Sequence, residues 1–263
     1  MRRGSIFWGI VIILLGIILL FAQFFPDINV WGLIWPLFLI LLGVWFLVGH
    51  RMGGSLAVEQ VNLPLSDIRE ARIRLHHGAG RLEIGPAAAP ETLLSGLFAG
   101  GVEQRLDRQG SAASLDLRTR TDVFMGWPGV NMTGGLTWTV NLTRDIPLQL
   151  ELETGASETR LNLQDLMVTE LILKTGASST VATLPARAGM TRVNVQAGAA
   201  LVELRVPEGV AARIQVKSGL AGIHIDSNRF PAAMNGYGTP GFDTAANRAD
   251  IYVETGVGSI DIR

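Results

Sequence analysis

A phrase recurs along this chain: two β-forming residues at alternate positions, a short polar turn containing glycine, then further alternating apolar residues. It is read at Ile73 and Leu75 before Gly78, Leu150 and Leu152 before Gly155, Leu171 and Leu173 before Gly176, Val193 and Val195 before Gly198, Ile214 and Val216 before Gly219, and Ile251 and Val253 before Gly256. The four middle glycines lie 21, 22 and 21 residues apart, and self-similarity at such a period marks a stack of equivalent units. In the unit LQLELETGASETRLNL, Leu148 to Leu163, apolar residues hold alternate positions on both sides of the turn. Alternation at period two means a strand with one buried and one wet face. A strand pair of this size is marginal alone in water. Stacking the units about 4.8 Å apart completes their hydrogen-bond ladders and lines up like side chains around one core. The expectation is a β-solenoid with two short strands per coil. Its glycines supply the turn, since glycine takes positive φ without steric penalty. Thr154, Thr175, Ser218 and Thr255 precede the glycines and Ser157 and Ser178 follow them. Turn chemistry accounts for these hydroxyls, and no base accompanies them as a nucleophile would require.

The first fifth of the chain is different. Residues 4–25 and 28–49 contain no charged side chain, and about 20 apolar residues suffice for a helix to cross a hydrocarbon core of about 30 Å. Met1-Arg2-Arg3 before an apolar run is also how a signal peptide begins, but the run is longer than a usual signal core, no small-x-small site follows, and a second apolar segment comes at once. The expected element is a two-helix transmembrane hairpin, helices over about 5–25 and 31–49, turned at Pro26-Asp27-Ile28-Asn29. Arg2, Arg3 and Arg51 flank the pair while the loop carries only Asp27, so the positive-inside bias puts both termini and the β domain in the cytoplasm. Trp8, Trp31, Trp35 and Trp45 fall near the ends of the spans as an aromatic belt does. No ionisable group lies inside either span, which argues against an ion or proton pathway. Gly9, Gly16 and Gly43 are small enough for close helix approach, within the hairpin or between protomers of a homo-oligomer. The organisation expected is a hairpin over 1–50, a linker and lead-in over 51–70, and the solenoid over 71–263, interrupted at 87–147 and 227–247.

The GAGRLEIGP phrase at Gly78 to Pro86, the TGAS units at Thr154 and Thr175, and the ending Tyr237…Ala246-Asn247-Arg248 before IYVETGVGSIDIR resemble the toast-rack domain of bacteria. The hairpin in front resembles the transmembrane region of LiaI/LiaF-type envelope-stress proteins. The resemblance implies a membrane-anchored β-solenoid whose relatives modulate sensor kinases responding to cell-wall damage. It implies no catalytic residues.

Two stretches depart from the repeat. Residues 87–147 carry strands of their own, with Leu136, Trp138, Val140 and Leu142 on one face, a hairpin turn at Gln109-Gly110, and a glycine-rich segment holding Phe124, Met125, Trp127 and Met132. Residues 227–247 hold Phe230, Met234, Tyr237 and Phe242 among glycines and prolines. One reading makes both stretches caps, since a solenoid's terminal coils expose unpaired edges. The other makes them partner surfaces, with Phe124, Met125, Trp127, Phe230, Tyr237 and Phe242 as contacts, because aromatic residues and methionine anchor interfaces. Contact of the Trp127 loop with the bilayer is a third reading.

Other chemistry finds little support. The chain has no cysteine, so disulfides, thiol catalysis and thiolate metal sites are excluded. Adjacent His76 and His77 on a strand point to opposite faces and chelate poorly. The glycine-rich phrases lack the strand-to-helix setting and following lysine of a phosphate loop. A formal charge of −1, with acidic and basic residues interleaved, leaves no footprint for nucleic acid. No cofactor is expected. The chain reads as a non-enzymatic, membrane-anchored regulatory or scaffolding protein that works by protein contacts, with an extracytoplasmic structural or adhesin-like module as the alternative.

Overall fold

The computed structural model describes residues 57–87, 89–120 and 136–263. The two apolar segments of the expected hairpin, and Phe124, Met125 and Trp127, lie outside them. Among the described residues no helix is long and apolar enough to cross a membrane.

The described residues form thirteen strands joined in one sheet. In chain order these are β1 (Val58–Pro64), β2 (Glu70–Pro86), β3 (Thr92–Ala99), β4 (Val102–Gln109), β5 (Ala112–Thr119), β6 (Thr137–Leu142), β7 (Leu148–Asn162), β8 (Val168–Thr183), β9 (Met190–Arg205), β10 (Ala211–Ile225), β11 (Ala232–Ala233), β12 (Gly236–Gly238) and β13 (Arg248–Ile262). The six glycine-containing units are β2, β7, β8, β9, β10 and β13, stacked in parallel as rungs.

Each unit is one bent strand where two short strands were expected. In β7, Leu148, Leu150, Leu152 and Thr154 face inward, Gly155 and Ala156 both face out, and Ser157, Thr159 and Leu161 face inward again. Two successive outward residues shift the inward set from even to odd positions, so both arms of the strand cover the same core. The registers run on across the corner, from Thr154↔Thr175 to Ala156↔Ala177 between β7 and β8.

The reason for the corner glycines also differs from expectation. Positive φ occurs at Gly80 (124°) and Gly258 (137°), two residues beyond Gly78 and Gly256, and not at the repeated glycines themselves. What these require is space. A Cβ on Gly155 would lie 2.3 Å from the Gly78 carbonyl oxygen, one on Gly176 3.1 Å from that of Gly155, and one on Gly198 3.0 Å from that of Gly176. The corner glycines form a column in which each backbone sits directly on the next, a closeness that a side chain at Gly155 would prevent and one at Gly176 or Gly198 would strain.

The rungs do not stack in chain order. The sequence runs β2-β7-β8-β9-β13-β10, so the last strand of the chain enters between β9 and β10. Fourteen residue pairs join β13 to each neighbour, from Arg248↔Met190 on one side and Arg248↔Ala211 on the other out to Ile262. Interior rows follow. Ile73, Leu150, Leu171, Val193, Ile251 and Ile214 occupy one level of the first arm and are buried, and Leu75, Leu152, Leu173, Val195 and Val253 occupy the next. Burial of such aliphatic side chains is worth about 1.5–3 kcal/mol each before ordering costs.

Residues 87–147 build covers for the β2 end. The β4–β5 hairpin, with Gly110 at φ 62°, extends the first arm through parallel pairing of β5 with Glu70 to His76. The second arm is extended by β6, β3 and β1, β6 lying parallel to Arg81 to Pro86. Leu136, Trp138, Val140 and Leu142 all point into the core, as their alternation predicts. At the far end, β12 pairs antiparallel with Arg213 and Ile214 of β10, and β11 pairs with β12.

Candidate functional site

The second departure from the repeat is a cap fastened to the first arm of β10. Beyond β10 the chain turns on Asp226, whose carbonyl accepts from the backbone N–H of Arg229 and Phe230. Phe230 is fully buried. Arg229 lies over its ring at 4.9 Å and donates to the carbonyls of Val206 and Pro207 at 2.8 and 3.2 Å. Tyr237, on β12, stands opposite Ile214 and packs against the core. Phe242 opens a 3₁₀ turn over residues 242–244, under the guanidinium of Arg213 at 4.8 Å and that of Arg248 at 6.0 Å. These three aromatics are engaged within the domain. The capping reading of residues 227–247 fits their positions better than the contact reading does.

The histidines separate as their adjacency predicts. His76 faces outward, its Nδ1 3.0 Å from Glu153 and its Nε2 3.8 Å from Asp116. His77 faces inward and is buried against Trp138 with ring centroids 5.0 Å apart, while Trp138 in turn meets Phe98 edge-on at 5.0 Å. Neither His77 nitrogen nor the indole Nε1 of Trp138 has a protein hydrogen-bond partner of good geometry. Burial lowers the His77 pKa to about 4, with the nearby Leu136 backbone opposing the shift, so the ring is neutral near pH 7. Among the described residues no cluster of His, Asp and Glu is arranged to hold a metal ion.

Along the outer face, one row crosses the rungs through Arg118, His76, Glu153, Lys174, Gln196, Glu254 and Lys217. Lys174 reaches Glu153 at 2.9 Å and Glu151 at 3.0 Å, and Lys217 reaches Glu254 at 3.4 Å. Hydrogen bonding from Lys174 holds the Glu153 carboxyl below its ordinary range, and Arg118 does the same for Asp116. Beside this row the side-chain-free glycine column leaves a shallow furrow of about 1040 Å³. Its ionic groups satisfy one another, as solvated ladder charges do, and none is left to select a ligand.

The second arm of β10 stands apart. Among the described residues its outward side has no strand partner beyond Ile214, since β12 covers only Arg213 and Ile214. Leu220 is 82% exposed and Ile223 44%, although Ile223 ends an interior row in which Ile260 is fully buried. Val257, paired with Leu220, and Leu201, diagonal to Val257 on β9, are also exposed. An apolar surface thus adjoins an open strand edge.

A family profile for the N-terminal domain of toast_rack, DUF2154, matches residues 52–205. The chain belongs to the toast-rack family. No curated protein matches. The fold is similar to the crystal structure of a candidate cell adhesion protein from Clostridium sporogenes, at 19% identity and TM-score 0.69, over 79% of this chain and 98% of that one. A candidate adhesin from Bacteroides fragilis aligns at 8% identity and TM-score 0.25, over 79% of this chain and 97% of that one.

The toast-rack profile ends at Arg205, the last residue of β9. The cap, the inserted rung and the open edge all lie beyond it. Leu201, Leu220, Ile223 and Val257 were not singled out by the sequence pattern. The available signal is in the column after the corner glycine, where Ala79, Ala156, Ala177 and Ala199 give way to Val257 and Leu220.

Proposed function

We propose that this toast-rack protein is a non-enzymatic, membrane-anchored scaffold that acts through protein contacts of its β domain. The observation that carries the reading is the uncovered second arm of β10, with Leu220 and Ile223 exposed on a sheet whose other flanks carry extra strands. Apolar side chains beside an open edge are a surface for another strand. The anchor is read from the charge-free segments 4–25 and 28–49, and the arginines at 2, 3 and 51 favour a cytoplasmic domain. In this setting a membrane sensor kinase or another envelope-stress protein is a partner of the anchored domain through a further surface, and the solenoid is a stiff support for its contacts.

The second reading, a module displayed outside the cell, draws on the likeness to the Clostridium sporogenes protein. At 19% identity that likeness extends to the fold alone. Topology separates the two. Because the chain lacks cysteine, a Ser179→Cys variant in intact cells should resist an impermeant maleimide and react after permeabilisation. Labelling of intact cells would sink the cytoplasmic reading and favour the displayed one.

A further inference from the structure

A bent ladder has two arms and two ends, hence four flanks to protect. At the β2 end, β5 and β4 cover the first arm and β6, β3 and β1 the second. At the β10 end, β12 and β11 cover the first arm. The second arm of β10 has no such cover among the described residues.

We propose that this flank is completed by the same flank of a second copy of the chain, the two β10 second arms pairing antiparallel about a two-fold axis near Gly222. The inference names a partner for the contact surface described above and rests on that reading only for the surface being used. Three features favour a second copy over a strand of different chemistry. The segment from Ser218 to Ile225 carries no permanently charged side chain, His224 being its one titratable group, so two copies meet without like-charge repulsion. It also lacks the usual defences of an exposed edge, having no proline and no inward charge.

The third feature is self-complementarity. Pairing about Gly222 sets Ala221 of each chain opposite Ile223 of the other on the inner face, which continues the row of Val202, Ile260 and Ile223 across the interface. On the outer face Leu220 meets His224. Gly222 faces its own copy, and its exposed side is open, since a Cβ there would meet nothing closer than Ser259 Oγ at 3.9 Å. An isologous contact needs only one such patch per chain.

The test uses single cysteines in the full-length chain in detergent micelles, under mild oxidation, with circular dichroism as the check on folding. Gly222→Cys alone, and Ala221→Cys mixed with Ile223→Cys, report on the interface, and exposed Ser179→Cys is the control. The expected result is a disulfide-linked dimer with Gly222→Cys or with the Ala221→Cys and Ile223→Cys mixture, and none at Ser179. Adding Leu220→Lys, at an exposed position that costs the fold little, should lower the dimer yield by about tenfold, as a charge on an edge opposes pairing. Folded interface variants that crosslink no more than the control would overturn the proposal and assign the edge to a different protein's strand. An unchanged yield with Leu220→Lys would overturn it too. Neither result bears on which side of the membrane the domain occupies, so the topology assay can fail or succeed independently.

Discussion

At Gly155 the identity of one residue is set by an oxygen atom of the next rung. The repeated glycine was legible in the sequence, but its reason was not: φ is a local property that a sequence argument reaches first, whereas the 2.3 Å approach to the Gly78 carbonyl exists only after the rungs are stacked. Gly155→Ala should destabilise the domain by about 2–3 kcal/mol, as overpacking against immovable backbone does. Gly176→Ala, where the approach is 3.1 Å, should cost less, and urea unfolding of the two variants checks the order. His77 makes a second prediction. Its folded pKa of about 4 lies below the ordinary histidine value of 6.5, so between these pH values the unfolded chain binds the extra proton and stability rises with pH. On lowering the pH from 7 to 4 the domain should lose about 3 kcal/mol through this group, following about 1.4 kcal/mol per pKa unit. A His77→Leu variant should show a shallower loss across that window in denaturant titrations at successive pH values. An equal loss in both proteins would remove His77 as the cause. The opposite orientations of His76 and His77 followed from strand alternation alone, while the burial of His77 depended on Trp138 arriving from a distant strand.

Among the elements, β13 is the one whose place the repeat conceals. Equal spacing from Gly155 to Gly219 suggests a simple succession of rungs, and period carries no information about a strand that returns later to an interior slot. The side chains do carry some. If β10 followed β9 directly, Arg192 and Arg213 would occupy the same outer row as neighbours, and like charges directly opposite one another destabilise a sheet. With β13 between them Asp250 separates the arginines and binds Arg213 at 2.6 Å. Asp250→Lys should therefore lower stability by about 1 kcal/mol, less at high salt, as measured by thermal melts at two ionic strengths. The covers at the β2 end were partly legible: the alternation of Leu136 to Leu142 appears as predicted, and the hairpin expected at Gln109-Gly110 forms one residue on, turning at Gly110-Ser111 with Gln109 still paired to Ala112. Which flank stays open was not legible, since it depends on which rung is outermost. For the same reason the composition that marked Phe230, Tyr237 and Phe242 as contacts did not show that they also engage Arg229, Ile214 and Arg213 within the domain.

For the whole domain, inserting the last strand changes how stability is distributed. In an ordinary solenoid each repeat contacts only its sequence neighbours, so the stability is roughly a sum of local terms and an end can unravel alone. Here residues 190–205 and 211–225 do not pair with each other, and residues 248–262 lie between them and pair with both. A chain truncated after Asn247 loses an interior rung and both of its ladders, and should lose its cooperative thermal transition as followed by circular dichroism. Native-state hydrogen exchange tests the same linkage without altering the chain. Buried amides of β8, β9 and β13 should exchange through one common opening with the largest free energy, because breaking either ladder of β13 splits the core. The outer second arm of β10 should open at lower free energy, having a ladder on one side only. If β7, β8 and β9 kept full protection under conditions where β13 exchanged freely, the domain would be separable into independent rungs. The inserted strand would then be an addition to a solenoid already complete without it.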